Sequence, residues 1–171
     1  RGFQGKALSD RERNEQLNPW HRAEGAQRDQ MKGNQKFQAA IEYSKIGFSI
    51  FPCNEVKKPR VTEWAPYQKE RADETKIKQW WTRWPDANIA IVTGAISGII
   101  VIDVDTEAGW LALQEHLPET LTTPTCRTPS GGRHLYFKYR PGLRSGPAPI
   151  AGVDIKTDGG YVVAPPSFCR Y

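Results

Sequence analysis

The chain has 171 residues, with 24 Lys and Arg against 19 Asp and Glu, a net charge of +5 and an isoelectric point near 9.2. That length suits one domain with a tail and a real core, and the mild basicity fits a polyanionic partner or ordinary solubility. No apolar run approaches the ~20 residues of a membrane span, and Cys53, Cys126 and Cys169 lack the spacing of zinc ligands, which argues against a membrane-spanning protein and a zinc finger.

Residues 1–36 are rich in Arg, Glu, Gln, Asn and Gly and poor in aliphatics. They read as a polar extension, disordered or loosely helical. Trp20 and His21 stand out in it, as parts of a solvated tail or of an arm that touches DNA or a neighbouring domain. The folded domain spans 37–171. Phe37, Ala40, Ile41 and Ser44 have helical spacing and Gly47 is a stop. Phe48–Phe51 reads as a strand, and Asn54–Arg60 as a basic loop containing proline. Asp73 caps a helix through Trp84, which Trp80, Trp81 and Trp84 pack onto the body, and Pro85 ends it. Ile89–Val92 and Ile99–Val104 are buried strands. Thr106 caps a helix of about ten residues that ends before Pro118. Strands follow near 123–128, 133–139, 153–156 and 161–164, separated by Gly, Pro and Ser. The class is α+β, or mixed α/β, around one sheet.

Three segments carry chemistry. In Ile99-Ile-Val-Ile-Asp-Val-Asp105, residues two apart share a face. Asp103 and Asp105 therefore point with Ile99 and Val101, opposite Ile102 and Val104. Paired carboxylates repel in a partly buried site, and hard Mg²⁺ or Mn²⁺ relieves that cost. The plainer reading is two solvated acids at a strand end. Next, Ser130-Gly131-Gly132 is a tight turn whose amides form a candidate anion nest. It precedes Arg133 and His134, with His134, Tyr136 and Lys138 on one strand face. His134 is either a phosphate ligand or a satisfied structural histidine; His21 and His116 take the second reading. Finally, Asp154 and Lys156 share a face of a third strand, where Asp154 needs a partner. Asp158-Gly159-Gly160 is a hairpin signal, which makes Asp158 a turn residue. Three acids at strand ends with His134, Arg133 and Lys156 suit two-metal phosphoryl transfer, the cations gripping a triphosphate. Lys57, Lys58 and Arg60 either track a template backbone or are solvated loop charges.

These motifs, in this order, resemble the bifunctional primase-polymerase domain of the archaeo-eukaryotic primase superfamily, from about residue 37 to 171. The acid-x-acid motif falls on Asp103 and Asp105. The small-Gly-x-His motif falls on Ser130 to His134 with one extra glycine, and the apolar-Asp motif on Val153-Asp154. Flanking matches include Gly47–Pro52 with Lys57-Lys58-Pro59, Trp80–Ile89, Thr93-Gly94 with Ser97-Gly98, and Asp158–Ser167. The resemblance implies an RRM-like palm sheet packed with an N-terminal α/β unit, metals on Asp103, Asp105 and Asp154, and nucleotide contact by His134. It implies a DNA primase or DNA polymerase that uses nucleoside triphosphates with Mg²⁺ or Mn²⁺ and no zinc, acting on a single-stranded DNA template and primer. A cytoplasmic protein of bacterial, phage or plasmid origin, cut from a longer polypeptide that carries a helicase, is the matching expectation. A non-catalytic nucleic-acid-binding replication module of the same fold and a metal-dependent nuclease are the alternatives.

Overall fold

The computed structural model describes Met31 and residues 34–169. Trp20, His21 and nearly all of the polar extension lie outside the described residues. The first helix among the described residues, α1 (34–45), already contains three residues of that extension. Its Lys36 ammonium donates to Asp86 O at 2.7 Å and Asn88 Oδ1 at 2.9 Å, which ties the helix to the body. Gly47 follows with φ +92°, the left-handed conformation glycine adopts without a Cβ clash.

Strand β1 (Ile50–Cys53) begins two residues later than the apolar pattern suggests and includes Pro52. β1 is an edge strand, and an edge tolerates a residue that cannot donate to the ladder. A 3-10 turn over Ala65–Gln68 precedes α2 (Glu74–Arg83), capped by Asp73, whose carboxylate accepts from Lys76 N at 2.7 Å. Trp80 and Trp81 are buried and Trp84 packs beside them. β2 (Asn88–Val92) and β3 (Ile99–Val104) follow as expected, then α3 (Glu107–Gln114), whose cap Thr106 accepts from Gly109 N. β4 (Thr125–Arg127), β5 (Arg133–Lys138), β6 (Gly146–Pro147), β7 (Val153–Lys156) and β8 (Tyr161–Ala164) complete the chain.

The strands form two antiparallel sheets rather than one. One has the order β1-β2-β8 and the other β4-β5-β3-β7-β6. The Asp158-Gly159-Gly160 turn is real, with Gly160 N bonded to Thr157 O at 3.0 Å, but it closes no hairpin. Both edges of β7 are taken, by β3 and β6, so β8 crosses to pair with β2. Asp158 fixes the crossing by accepting from Ala95 N at 2.9 Å and from the Tyr139 hydroxyl at 2.8 Å. The turn role expected for Asp158 therefore includes a brace between the sheets.

β3 separates two cores. Ile99 and Val101 pack with the small sheet, α1 and α2. Ile102 and Val104 pack with Leu135, Val153 and, from α3, Trp110 and Leu113. Among the described residues, no helix is long and apolar enough to cross a membrane.

Candidate active site

Strand pairing sets the site. Cys126 on β4 lies opposite His134 on β5, His134 opposite Asp103 on β3, and Asp103 opposite Asp154 on β7. Directly opposed residues point to the same side of a sheet. Side chains two positions away on the same strands, Tyr136, Val101 and Lys156, extend the face. The apolar end of this face joins the core at Val101, and the polar end carries the row.

Contacts within the row are short. His134 Nε2 is 3.2 Å from Asp103 Oδ1. Lys156 Nζ is 2.6 Å from Asp154 Oδ2 and 4.0 Å from Asp103 Oδ2. Side-chain exposure is 8% at His134, 16% at Asp103 and 33% at Asp154, so the charges sit where water screens them weakly. Burial pushes the Asp103 carboxyl up, but His134, then Lys156 and Lys57, outweigh it and hold the group below its ordinary range. Burial pulls the His134 imidazole down, yet Asp103 and then Cys126 more than offset it, raising it to about 9.

A cavity of about 380 Å³ opens over this face. Lys57, Asp103, Cys126, His134 and Lys156 line it, and the Pro165–Ser167 segment after β8 forms part of its wall. Lys57 arrives by an unusual backbone route. Its φ is +66°, a left-handed conformation that costs a non-glycine residue about 1 kcal/mol or more. Asn54 closes the turn, its Oδ1 accepting from Val56 N and Lys58 N, and the Tyr161 hydroxyl donates to Lys57 O at 2.9 Å.

The other expected residues are placed differently. Asp105 follows the end of β3 and is exposed, its amide bonded to Gly152 O at 2.8 Å. Neither it nor Asp154 is among the residues that line the cavity, although Asp154 stands opposite Asp103 on the neighbouring strand. Ser130, Gly131 and Gly132 cross over that strand end. A Cβ on Gly132 would stand 2.3 Å from Val104 O, so only glycine fits there. The Gly131 amide donates to Thr128 O at 2.9 Å, which commits one of the nest's amides to the turn itself. Arg133 does not join His134. Neighbours on a strand face opposite sides, and its guanidinium pairs with Glu107 at 3.0 Å and covers the Trp110 ring at 4.5 Å. Lys58 is exposed, and Arg60 pairs with Asp86 at 3.0 Å away from the cavity. Cys126 and the Pro165–Ser167 wall are the parts that local sequence patterns leave out, because both depend on pairing between distant strands.

The donor chemistry suits a hard divalent cation: Asp103, Asp105 and Asp154 offer only carboxylate oxygens, which Mg²⁺ and Mn²⁺ prefer. In the conformation described, Lys156 supplies the positive charge between Asp103 and Asp154. Among the described residues, no three His, Cys, Asp or Glu side chains are gathered to hold an ion. Cation binding at these acids therefore means moving the Lys156 ammonium off Asp154.

No curated protein matches the chain. The family model for Prim-Pol, described as bifunctional DNA primase/polymerase, N-terminal, matches residues 40–171, more than three quarters of the sequence. The matched span holds the whole cross-strand row, the glycine turn and the cavity wall, and the chain belongs to the bifunctional DNA primase/polymerase family.

Proposed function

We propose that this chain is a template-directed nucleotidyltransferase, a DNA primase or DNA polymerase, that joins nucleoside triphosphates to a growing strand. Family membership supports primase and polymerase chemistry in general. The observation that carries the finer reading is Asp103, which lines a cationic cavity with His134 and Lys156 and stands in register between His134 and Asp154. The five-stranded sheet takes the part of an RRM-like palm, with α1, α2 and the small sheet as the N-terminal unit. The product strand and a single-stranded DNA template lie across the open side of that palm.

Each residue has a task in this reading. Lys57, His134 and Lys156 offer positive charge and N–H donors to a triphosphate, where charge-assisted bonds to phosphate oxygens are strongest. Lys57 thus serves the nucleotide rather than the template backbone, while Arg133 braces α3 through Glu107 and Trp110. Asp103, Asp105 and Asp154 hold divalent cations. Such ions, when bound, supply charge stabilisation at the attacking 3′ oxygen and the leaving pyrophosphate. His134 keeps Asp103 ionised and oriented until the cavity fills.

The test is nucleotide incorporation on a single-stranded DNA template, with labelled nucleotides and Mg²⁺ or Mn²⁺, with and without a primer. Asp103→Ala is expected to cut incorporation about 10³-fold or more, since several kcal/mol of transition-state stabilisation vanish. Incorporation that survives Asp103→Ala sinks the assignment of the acids. A chain that binds DNA and never incorporates favours the non-catalytic module.

A further inference from the structure

The wall of the polar cavity is shared with a second opening. Pro166 also lines a groove of about 1030 Å³, bounded by α1, the loop after β1 and the residues that follow α2. The groove presents Phe168, whose ring is 63% exposed on a fixed backbone. Buried Asn88 donates from Nδ2 to Phe168 O at 2.5 Å and accepts at Oδ1 from Phe168 N at 3.2 Å. Ser167 Oγ accepts from Ile89 N at 2.8 Å, which ties the same segment to β2. A ring already held in place costs a partner little in ordering. Trp84 lines the groove as well, with the Arg83 guanidinium 4.9 Å over its ring. Arg60 lies between these parts. Its Nε is buried without a hydrogen-bond partner, and its ion-pair partner Asp86 is 76% exposed.

Charge alternates along this path. In the polar cavity Lys57 and Lys156 join His134 against Asp103. In the groove Lys36 and Arg60 are balanced by Glu55 and Asp86, and the rings of Phe168 and Trp84 stand on this neutral ground. Farther on, Arg60 and Trp84 line a third pocket, where Arg60, Lys76 and Arg83 outnumber Glu63. Cations at both ends with stacking rings between them match a single strand of nucleic acid, whose phosphates need charge and whose unpaired bases need a ring to lie on. A duplex does not fit, because its bases are already stacked on one another.

We propose that this groove carries the unpaired template strand on the 5′ side of the base being copied, with Phe168 and Trp84 as stacking platforms and Arg60 as a phosphate ligand. The assignment to a template rests on the template-directed reading of the cavity. Synthesis consumes a template toward its 5′ end, so the 5′ side is the part whose bases are still free to stack. Pro166 borders both openings, and a strand that leaves the cavity passes this one residue to reach the groove. Arg60 then exchanges Asp86, which water can solvate, for a phosphate oxygen, a charge-assisted bond of the strong kind.

The experiment places 5-iododeoxyuridine in a primed DNA template, either in a long 5′ overhang or within the duplex, irradiates it on the folded chain and maps the cross-linked peptide by mass spectrometry. The overhang probe is expected to cross-link to Phe168 or Trp84, and the duplex probe to neither. In fluorescence anisotropy, Phe168→Leu weakens binding of the overhang template about tenfold, the worth of one stacked base, whereas Phe168→Trp binds it as the parent does. Templates that end at the copied base bind all three chains alike, and circular dichroism confirms that the variants fold. Arg60→Gln lowers the slope of log affinity against log salt by about 0.7, the share of one phosphate on a single strand. Overhang cross-links that map elsewhere, or a Phe168→Leu chain that binds the overhang as the parent does, overturn the groove as the template path. Overhang binding and cross-linking at Phe168 by a chain that never incorporates nucleotide count against the polymerase reading instead, and the groove stands as a single-strand site.

Discussion

The two sheets of this protein are built from similar strands and put to opposite uses. In the small sheet every residue of β1 and β2 is buried, and Phe51, Trp64 and Tyr161 interlock with ring centroids 5.1 to 5.7 Å apart. In the large sheet, β3 is apolar toward its α3 side but changes character along its other face, from Ile99 and Val101 in the core to Asp103 at the cavity. A strand buried on both faces adds stability and offers no reactive group. A strand whose one face runs out of the core can present a charge at low dielectric on a rigid frame. On the function proposed above, the small sheet sets stability and the polar row sets chemistry, although β8 and its Pro165–Ser167 extension join them physically.

The sharpest way to break that division is a substitution in each part, read out on both properties. Asp154→Asn keeps the shape of the side chain and removes a charge. Its effect on incorporation is expected to be about 10³-fold, equivalent to ~4 kcal/mol of barrier, with a change in unfolding free energy below about 1 kcal/mol, since the side chain is one-third exposed. Primer-extension rates and urea unfolding of the same preparation check both halves. A loss of stability that matches the loss of rate would make the polar row part of the scaffold.

The reverse case is Ile91→Ala in β2. Ile91 is 1% exposed in the centre of the small sheet, and its truncation leaves a cavity that costs about 2–5 kcal/mol. The fraction that stays folded is expected to incorporate nucleotide within about twofold of the parent, because residues without shared partners act nearly additively. A kcat lowered tenfold at full folding would show that the small sheet tunes the site through β8.

Much of this was legible in the sequence, and the gaps have definite causes. β3 could be read with both its faces because alternation of six residues assigns each side chain a layer. The same rule separates Arg133 from His134, and grouping them as one phosphate grip set aside the alternation of β5 in favour of their nearness in sequence. Pairing is harder. That His134 stands opposite Asp103 depends on a register between strands separated by a helix and the glycine turn, and nothing local encodes it. The crossing of β8 was hidden for a related reason: a turn signal specifies how the chain bends, and only the occupied edges of β7 decide what it pairs with next. The two-residue strand β6, Gly146-Pro147, carries breaker residues and no strand pattern at all.

The subtlest test concerns the pair that ties the row together. His134 is raised to about 9: burial lowers it, while Asp103 and then Cys126 raise it further than burial takes it down. A group raised on folding contributes stability that is fully present below its unfolded value of ~6.5 and is lost as pH climbs through the folded value. Asp103 is held low, burial being outweighed first by His134 and then by Lys156 and Lys57, so its share is lost only in acid as pH falls through its depressed value. The difference in unfolding free energy between the parent and His134→Gln is therefore expected to be widest near pH 5 to 6. It should shrink by roughly 2 kcal/mol between about pH 6.5 and 9. Urea unfolding of both chains at intervals across that range measures it. A flat difference would mean that the imidazole is neutral beside Asp103 at every pH, and the row would then hold its shape by packing and strand pairing without an ion pair at its centre.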